Sequence, residues 1–196
     1  MIDTDKLIEM ASQTSGWEWL AVFTALLYVV FASFRWVIAW PIGAVSSLIY
    51  AYIFFGNRLF LETGLQVFYV VLAFYGWFSW SKPTERSKNI RTLPLEKHIL
   101  LIGFCLGSWL LIAYVFDQFT SQNSPYGDAF VTVFSLAATW MTARKYLANW
   151  TYWIVIDAVA ASLFYSNGLV LSTLLYLMYA LVAIFGYFTW KRHLTT

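Results

Sequence analysis

Charge is what this sequence has least of. Asp, Glu, Lys and Arg together make up 11% of its 196 residues, whereas 61% are hydrophobic. A soluble domain is about a quarter charged and about half apolar, so the composition excludes an ordinary soluble fold. It indicates an integral membrane protein that is surrounded by the lipid bilayer.

Cysteine and histidine are also scarce, and this excludes several kinds of site. The single cysteine, Cys105, cannot form an intramolecular disulfide, and we expect it to be a small packing residue. The two histidines, His98 and His193, lie far from each other in the sequence, so we expect no metal site. The apolar runs contain no Ser-His or paired-Asp arrangement. We therefore expect neither an enzyme nor a bound cofactor.

Long apolar runs are what the sequence does contain. Crossing about 30 Å of hydrocarbon takes about 20 helical residues, and no run alternates apolar and polar residues as a barrel strand would. The N-terminal residues MIDTDKLIEM are polar and acidic, so we expect no cleavable signal peptide. The sequence predicts an all-α membrane protein with seven transmembrane helices, approximately Trp17 to Phe34, Trp36 to Phe55, Leu59 to Trp80, His98 to Phe116, Ala129 to Tyr146, Asn149 to Ser166 and Leu169 to Trp190.

The basic residues predict the orientation of these helices. Seven crossings put the two termini on opposite sides, and ten of the twelve Lys and Arg residues fall on the side of the C-terminus: Arg35, Lys82, Arg86, Lys88, Arg91, Lys97, Arg144, Lys145, Lys191 and Arg192. Only Lys6 and Arg58 fall on the other side. We expect the N-terminus outside and the C-terminus in the cytoplasm. Because topology accounts for the basic residues, we expect no nucleic-acid partner.

The sequence repeats itself at an offset of 110 residues. Residues 36–82 match residues 146–192 at fourteen positions without a gap, including the pairs Trp40/Trp150, Gly76/Gly186 and Trp80/Trp190. The fourth helix has no counterpart, so we predict a 3+1+3 arrangement with parallel repeats, which is typical of transporters. The predicted segments are an extracytoplasmic segment (1–16), a first three-helix repeat (17–80), a cytoplasmic loop (81–97), a linker helix (98–116), an external loop (117–128), a second repeat (129–190) and a cytoplasmic tail (191–196).

One carboxylate interrupts the apolar run NWTYWIVIDAVAASLFY. On a helix, Trp150, Trp153 and Asp157 share a face only about 60° wide. Placing a charged Asp in hydrocarbon costs about 2.5 to 3.5 kcal/mol, and no Lys or Arg lies in the middle of any span to pair with it. We therefore expect Asp157 to face a polar cavity. The alternative is a protonated Asp157 that only joins helices through a hydrogen bond to a Ser or Tyr.

Polar residues of other spans are candidates to line the same cavity. Gln66 and Tyr69 lie in the third span, Ser47 occupies the repeat position of Asp157, and Tyr176 that of Gln66. Aromatic rings beside a carboxylate suit a flat, cationic heteroaromatic solute. Tryptophans near span ends are expected in the interfacial belts, namely Trp17, Trp19, Trp36, Trp77, Trp80, Trp150 and Trp190. Trp153 lies one turn deeper and is the better candidate for a ligand contact.

Three stretches resemble the PnuC family of bacterial vitamin transporters. They are WPIGAVSSLIYAYIFF (40–55), LQVFYVVLAFYGWFSW (65–80) and NWTYWIVIDAVAASLFYSNGLVLSTLLYLMYALVAIFGYFTWK (149–191). The resemblance covers essentially the whole membrane region. It implies a fold similar to that of the SWEET sugar transporters, homotrimers, and uptake of nicotinamide riboside, a precursor of NAD. It also implies facilitated diffusion across a bacterial inner membrane, after which a cytoplasmic kinase phosphorylates the vitamin and so traps it in the cell.

The family motif NWxxWxxxD/N falls on Asn149, Trp150, Trp153 and Asp157, which the resemblance places at the substrate site. The resemblance associates transport of nicotinamide riboside with Asn at the last position of this motif, where this sequence has Asp. The Asp therefore favours a sister specificity, notably thiamine, as in the PnuT branch. Riboflavin and nucleosides are further alternatives. A proton-coupled porter that uses Asp157 is another, although the other acids within the spans, Glu18 and Glu62, lie near outer ends.

Overall fold

A computed structural model describes residues 15–57, 60–82, 89–119 and 124–194, apart from the side chains of residues 60 and 61. In these ranges the chain forms seven α-helices and no β-strand beyond isolated bridges. The predicted orientation depends partly on Lys6, Arg58, Arg86 and Lys88, which lie outside the described residues. The helices are α1 (Gly16–Ser33), α2 (Ala39–Gly56), α3 (Phe60–Ser81), α4 (Leu95–Phe119), α5 (Pro125–Ala143), α6 (Ala148–Ser166) and α7 (Val170–Lys191).

Local signals explain where these helices begin. Helix α1 starts with a capping box, in which the Ser15 hydroxyl accepts from the Glu18 N–H at 3.2 Å and the Glu18 carboxylate accepts from the Ser15 N–H at 2.9 Å. Helix α5 starts at Pro125 rather than at the predicted Ala129, because proline is favoured in the first helical turn. The connection between α4 and α5 is therefore shorter than the sequence predicts.

Two turns occupy the same position in the two repeats. Arg35 and Lys145 have positive φ angles of 63° and 55°, which residues with a side chain rarely adopt. In the first turn the Trp36 N–H donates to the Phe31 carbonyl at 3.0 Å, and in the second the Tyr146 N–H donates to the Met141 carbonyl at 3.0 Å. This six-to-one bond ends a helix with a left-handed residue. The repeat is therefore preserved in backbone conformation, although Arg35 and Lys145 differ in identity.

The seven helices pack as two triplets with a linker. Helices α1, α2, α4 and α7 are long and apolar enough to span a bilayer by length and composition alone. The other three include polar residues that face the interior, among them Gln66, Ser135 and Asp157. Within each triplet successive helices pack together, and the triplets meet where α1 packs against α7 and α3 against α5. Among the described residues α4 packs against α5, and the predicted 3+1+3 arrangement is confirmed.

Four tryptophans form the centre of the fold, and we call them the tryptophan cluster: Trp40, Trp80, Trp150 and Trp190. The Trp40–Trp80 and Trp150–Trp190 pairs are both edge-to-face, at 5.3 and 5.4 Å between ring centroids. The Trp80 indole N–H donates to the Ala143 carbonyl at 3.2 Å, and that of Trp190 donates to the Ala32 carbonyl at 3.1 Å. Each repeat therefore donates one indole hydrogen bond to the other.

The tryptophan cluster corrects part of the predicted interfacial belt. Trp80, Trp150 and Trp190 are 5%, 2% and 0% exposed, so they belong to the core. Edge-to-face pairing and a partner for the indole N–H allow a tryptophan to be buried completely. Trp17, Trp19, Trp36 and Trp77 are exposed, as the belt prediction requires, and Cys105 is buried in the contact between α4 and α5, as predicted.

Candidate functional site

A cavity of about 280 Å³ lies between the two triplets. All six helices of the repeats contribute residues to its wall, whereas the linker α4 contributes none. The wall is mainly apolar and aromatic, with a few polar groups, as in most small-molecule pockets. Its polar and aromatic residues are Tyr28, Trp40, Ser46, Ser47, Tyr50, Gln66, Tyr69, Thr132, Ser135, Thr139, Thr142, Trp150, Trp153, Asp157, Tyr176 and Tyr179.

Seven of the eight residues named from the sequence line this cavity: Ser47, Gln66, Tyr69, Trp150, Trp153, Asp157 and Tyr176. They come from α2, α3, α6 and α7, so the fold brings together residues more than 100 positions apart in the sequence. The eighth, Asn149, is not part of the wall. Their roles in binding remain predictions.

The side chain of Asn149 instead makes hydrogen bonds within the protein. It is 0% exposed, its side-chain oxygen accepts from the Thr142 hydroxyl at 3.0 Å, and its amide nitrogen donates to the Tyr146 carbonyl at 2.6 Å. The first bond reaches back to the last turn of α5, and the second reaches the turn between α5 and α6. Asn149 therefore holds the start of α6 in place, and the sequence motif alone could not distinguish this role from substrate contact.

Asp157 is the only acid in the cavity wall. Its side chain is 3% exposed, and within the described parts of the chain it has no hydrogen bond or ion pair. The alternative in which Asp157 only bonds a Ser or Tyr therefore has no support from the described contacts. A carboxylate buried without a partner is costly, so this side chain is available to a solute that enters the cavity.

Trp40 and Trp150 form matching parts of the wall. Each indole lies on a glycine of the next helix: a Cβ added at Gly76 would be 2.3 Å from the Trp40 ring, and one at Gly186 would be 2.7 Å from the Trp150 ring. Both indole nitrogens are buried and make no hydrogen bond within the described residues. The two glycines thus let the rings approach the helix backbones. This close approach explains why the repeat has glycine at both positions.

Several wall residues were not named from the sequence. Trp40 and Tyr179 are the repeat partners of Trp150 and Tyr69, so the 110-residue register carried a signal for both. Tyr28 and Ser135 come from α1 and α5, outside the stretch of matched residues, and no sequence signal marked them. In the assembled wall, Tyr176 packs edge-to-face on Tyr179 at 5.7 Å, and Tyr28 packs in the same way on Trp40 at 5.8 Å.

Below the tryptophan cluster the turn residues add positive charge. The Lys145 ammonium lies 4.5 Å from the centroid of the Trp80 ring, and the residue is 7% exposed. Burial and, to a smaller extent, the nearby Arg35 guanidinium lower the pKa of Lys145 to about 8. The two left-handed turns therefore bring two cations together at the end of the molecule that is rich in Lys and Arg.

Comparison with known proteins agrees with this geometry. Residues 15–192 match the family model described as nicotinamide mononucleotide transporter. The chain belongs to this family. The family assignment and the fold establish a multi-pass membrane transporter and not an enzyme.

Relatives within this family include transporters of different vitamins. The nicotinamide riboside transporter PnuC of Escherichia coli (strain K12) is 24% identical over 200 residues, which cover 88% of this chain and 84% of the relative. The riboflavin/roseoflavin transporter RibM of Streptomyces davaonensis is 25% identical over 156 residues, covering 77% and 73%. The crystal structure of the vitamin B3 transporter PnuC matches with a TM-score of 0.73 at 24% identity, covering 96% of this chain and 87% of that one.

Proposed function

We propose that this protein takes up a cationic, water-soluble vitamin by facilitated diffusion, with nicotinamide riboside as the leading substrate. The observation that carries the proposal is Asp157, a buried carboxylate without a protein partner in the described residues, in the wall of an aromatic cavity. A pyridinium ring can stack on Trp153 while its charge is balanced by Asp157. The similarity to nicotinamide riboside transporters supports the same substrate.

The size of the cavity supports a solute no larger than a nucleoside. Its volume of about 280 Å³ lies just below the usual range of small-molecule pockets, roughly 300 to 1,000 Å³. Among the described residues the wall holds one acid, with no second acid in the wall between it and the end rich in Lys and Arg. This favours passive transport over proton coupling, because a relay needs titratable groups along the whole path. Net uptake then requires trapping, and a cytoplasmic kinase that phosphorylates the vitamin would supply it.

We further propose an N-terminus outside, a C-terminus in the cytoplasm and a homotrimeric assembly. The orientation rests on the eight described Lys and Arg residues, all of which lie at the end that carries the C-terminus. The trimer rests on the resemblance to the PnuC family. Native mass spectrometry of the detergent-solubilised protein tests the trimer, and protease accessibility of tags at each terminus in sealed vesicles tests the orientation.

Reconstitution tests the transport mechanism. Liposomes that contain the purified protein, the matching kinase and ATP should accumulate labelled nicotinamide riboside in the absence of proton and sodium gradients. Liposomes without kinase should only equilibrate, and the variant Asp157→Ala should transport less. Uptake that follows an imposed pH gradient would instead indicate a proton-coupled porter.

Thiamine is the second candidate, favoured by the identity of residue 157. The resemblance associates nicotinamide riboside transport with Asn at this position, whereas this chain has Asp. Nicotinamide riboside and thiamine both carry a permanently cationic ring, and a full negative charge at residue 157 favours either of them over a neutral solute. Calorimetric titration with nicotinamide riboside, thiamine, riboflavin and an uncharged nucleoside separates the candidates. Tightest binding of riboflavin, the substrate in the name of RibM, would overturn the cationic proposal.

A further inference from the structure

Acidic side chains gather at one end of the molecule, around the end of the cavity that faces away from the tryptophan cluster. Glu18, Glu62 and Asp128 lie in the first turns of α1, α3 and α5. These three helices run in the same direction, so their first turns lie at one end of the bundle. We call these three residues the acidic mouth. Every Lys and Arg among the described residues lies at the opposite end of the helices.

The acidic mouth lies close to the cavity wall. Gln66 lines the cavity one turn after Glu62 on α3, and Thr132 lines it one turn after Asp128 on α5. Asp128 lies within electrostatic reach of Glu62, and the two acids belong to helices that pack together, α3 and α5. A solute approaching the cavity from this end therefore passes close to two negative charges.

The repeat places an acid on both sides of the mouth. Glu18 and Asp128 are 110 residues apart, the register that relates the two triplets, and each begins the first helix of its triplet. Glu18 lies within electrostatic reach of Tyr50 in the cavity wall. Tyr176 lies within reach of both Asp128 and Asp157. Negative charge is thus present in both triplets at the acidic mouth and again at Asp157 inside the cavity.

Asp157 supplies the independent reason to connect this charge with a ligand. It is 3% exposed, faces the cavity and has no hydrogen-bond or ionic partner within the described ranges. We propose that Glu18, Glu62 and Asp128 attract cationic solutes to the cavity and so select them over neutral and anionic ones before they reach Asp157. The acidic mouth is then a specificity determinant that acts on association, and this inference rests on the proposed uptake of a cationic vitamin.

The physical effect is electrostatic steering. A cleft lined by one sign of charge raises the local concentration of oppositely charged solutes and increases association rates by roughly 10- to 1,000-fold. Salt removes the effect, because the Debye length falls from about 30 Å at 0.01 M to about 3 Å at 1 M. Acids in first helical turns also stabilise helix dipoles, so the test must measure association with the solute and not protein stability.

The experiment follows the intrinsic tryptophan fluorescence of the full chain in zwitterionic nanodiscs during rapid mixing with each vitamin. The association rate of nicotinamide riboside or thiamine should fall about tenfold between about 0.01 M and about 1 M salt. The double variant Glu62→Gln, Asp128→Asn should associate slowly at low salt and lose most of this dependence, with an unchanged dissociation rate. Glu18 is left intact because its carboxylate caps α1.

Asp117 provides the matched control. It lies at the same end of the molecule, near the end of the linker α4, which contributes nothing to the cavity wall. Asp117→Asn removes one negative charge from the same end of the molecule and should keep the wild-type salt dependence. Uncharged riboflavin should show no salt dependence with any variant. If a cation binds and the double variant keeps the wild-type salt dependence, the acidic mouth is refuted while the proposed function stands. If neither cation binds, both are refuted.

Discussion

Replacing Gly76 with alanine should displace Trp40 and destabilise the folded transporter. An added Cβ would lie 2.3 Å from two atoms of the indole and 2.5 Å from a third, far closer than the van der Waals contact of about 3.5 to 4.0 Å. The ring must therefore move by more than about 1 Å. It is 1% exposed and held edge-to-face by Trp80 at 5.3 Å, so its displacement breaks this packing and disturbs the cavity wall that it forms.

The expected cost follows from this overpacking. Inserting a methyl group into a packed core costs typically about 1 to 3 kcal/mol, and we expect Gly76→Ala at the upper end of that range. At Gly186, the repeat partner, the nearest atoms of the Trp150 ring would be 2.7 Å away, so Gly186→Ala should cost less. Because Trp40 and Trp150 both line the cavity, each substitution should also weaken vitamin binding.

Thermal unfolding in detergent, followed by fluorescence, measures the effect. For a chain of this size about 1 kcal/mol corresponds to about 2 to 4 °C in Tm. Gly64→Ala is the matched control, since Gly64 lies on the same helix with nothing within 4 Å of the added Cβ. This control should be neutral or slightly stabilising, because alanine favours helix. Equal Tm values for the Gly76 and Gly64 variants would refute the reasoning.

Three further predictions concern the site and its supports. Asp157→Ala and Trp153→Ala should each weaken vitamin binding by about 1 to 3 kcal/mol in calorimetric titration; unchanged affinity in both would remove them from the site. Asn149→Ala should lower Tm, because it removes two buried side-chain hydrogen bonds, one with the Thr142 hydroxyl and one with the Tyr146 carbonyl, yet it should alter affinity less than Asp157→Ala does. The low pKa of Lys145, about 8 against 10.5, means that the unfolded chain holds the proton longer as pH rises. Stability should therefore increase between about pH 8 and 10.5, and Lys145→Met should remove that increase from the measured Tm profile.

Helix ends and tryptophan positions show where local pattern stops being informative. The apolar length of each run predicted all seven helices, yet α5 begins at Pro125 because of a proline preference and not because of hydropathy. Position near a span end predicted an interfacial place for Trp80 and Trp190. Their burial instead depends on each other, at 5.9 Å between rings, and on carbonyls of the opposite triplet.

Only the tertiary structure shows which residues of the motif line the cavity and which support the fold. Trp153 and Asp157 share a helical face with Trp150, and that periodicity is a local property of one helix. Whether Asn149 meets a solute or the protein depends on the neighbouring turn, which supplies Thr142 and Tyr146 as its partners. No pattern within α6 carries information about that turn.

Membrane insertion, the seven helices, the repeat and the inward strip with Asp157 were determined by the sequence alone. Each follows from hydrophobic length, helical period or self-similarity, which are properties of a segment and its register. Only the tertiary structure decided that Tyr28 and Ser135 complete the cavity, that Trp150 forms its wall within the core, and that Glu62 and Asp128 come within electrostatic reach of each other. Those outcomes depend on how each helix is rotated and packed against helices distant in the chain.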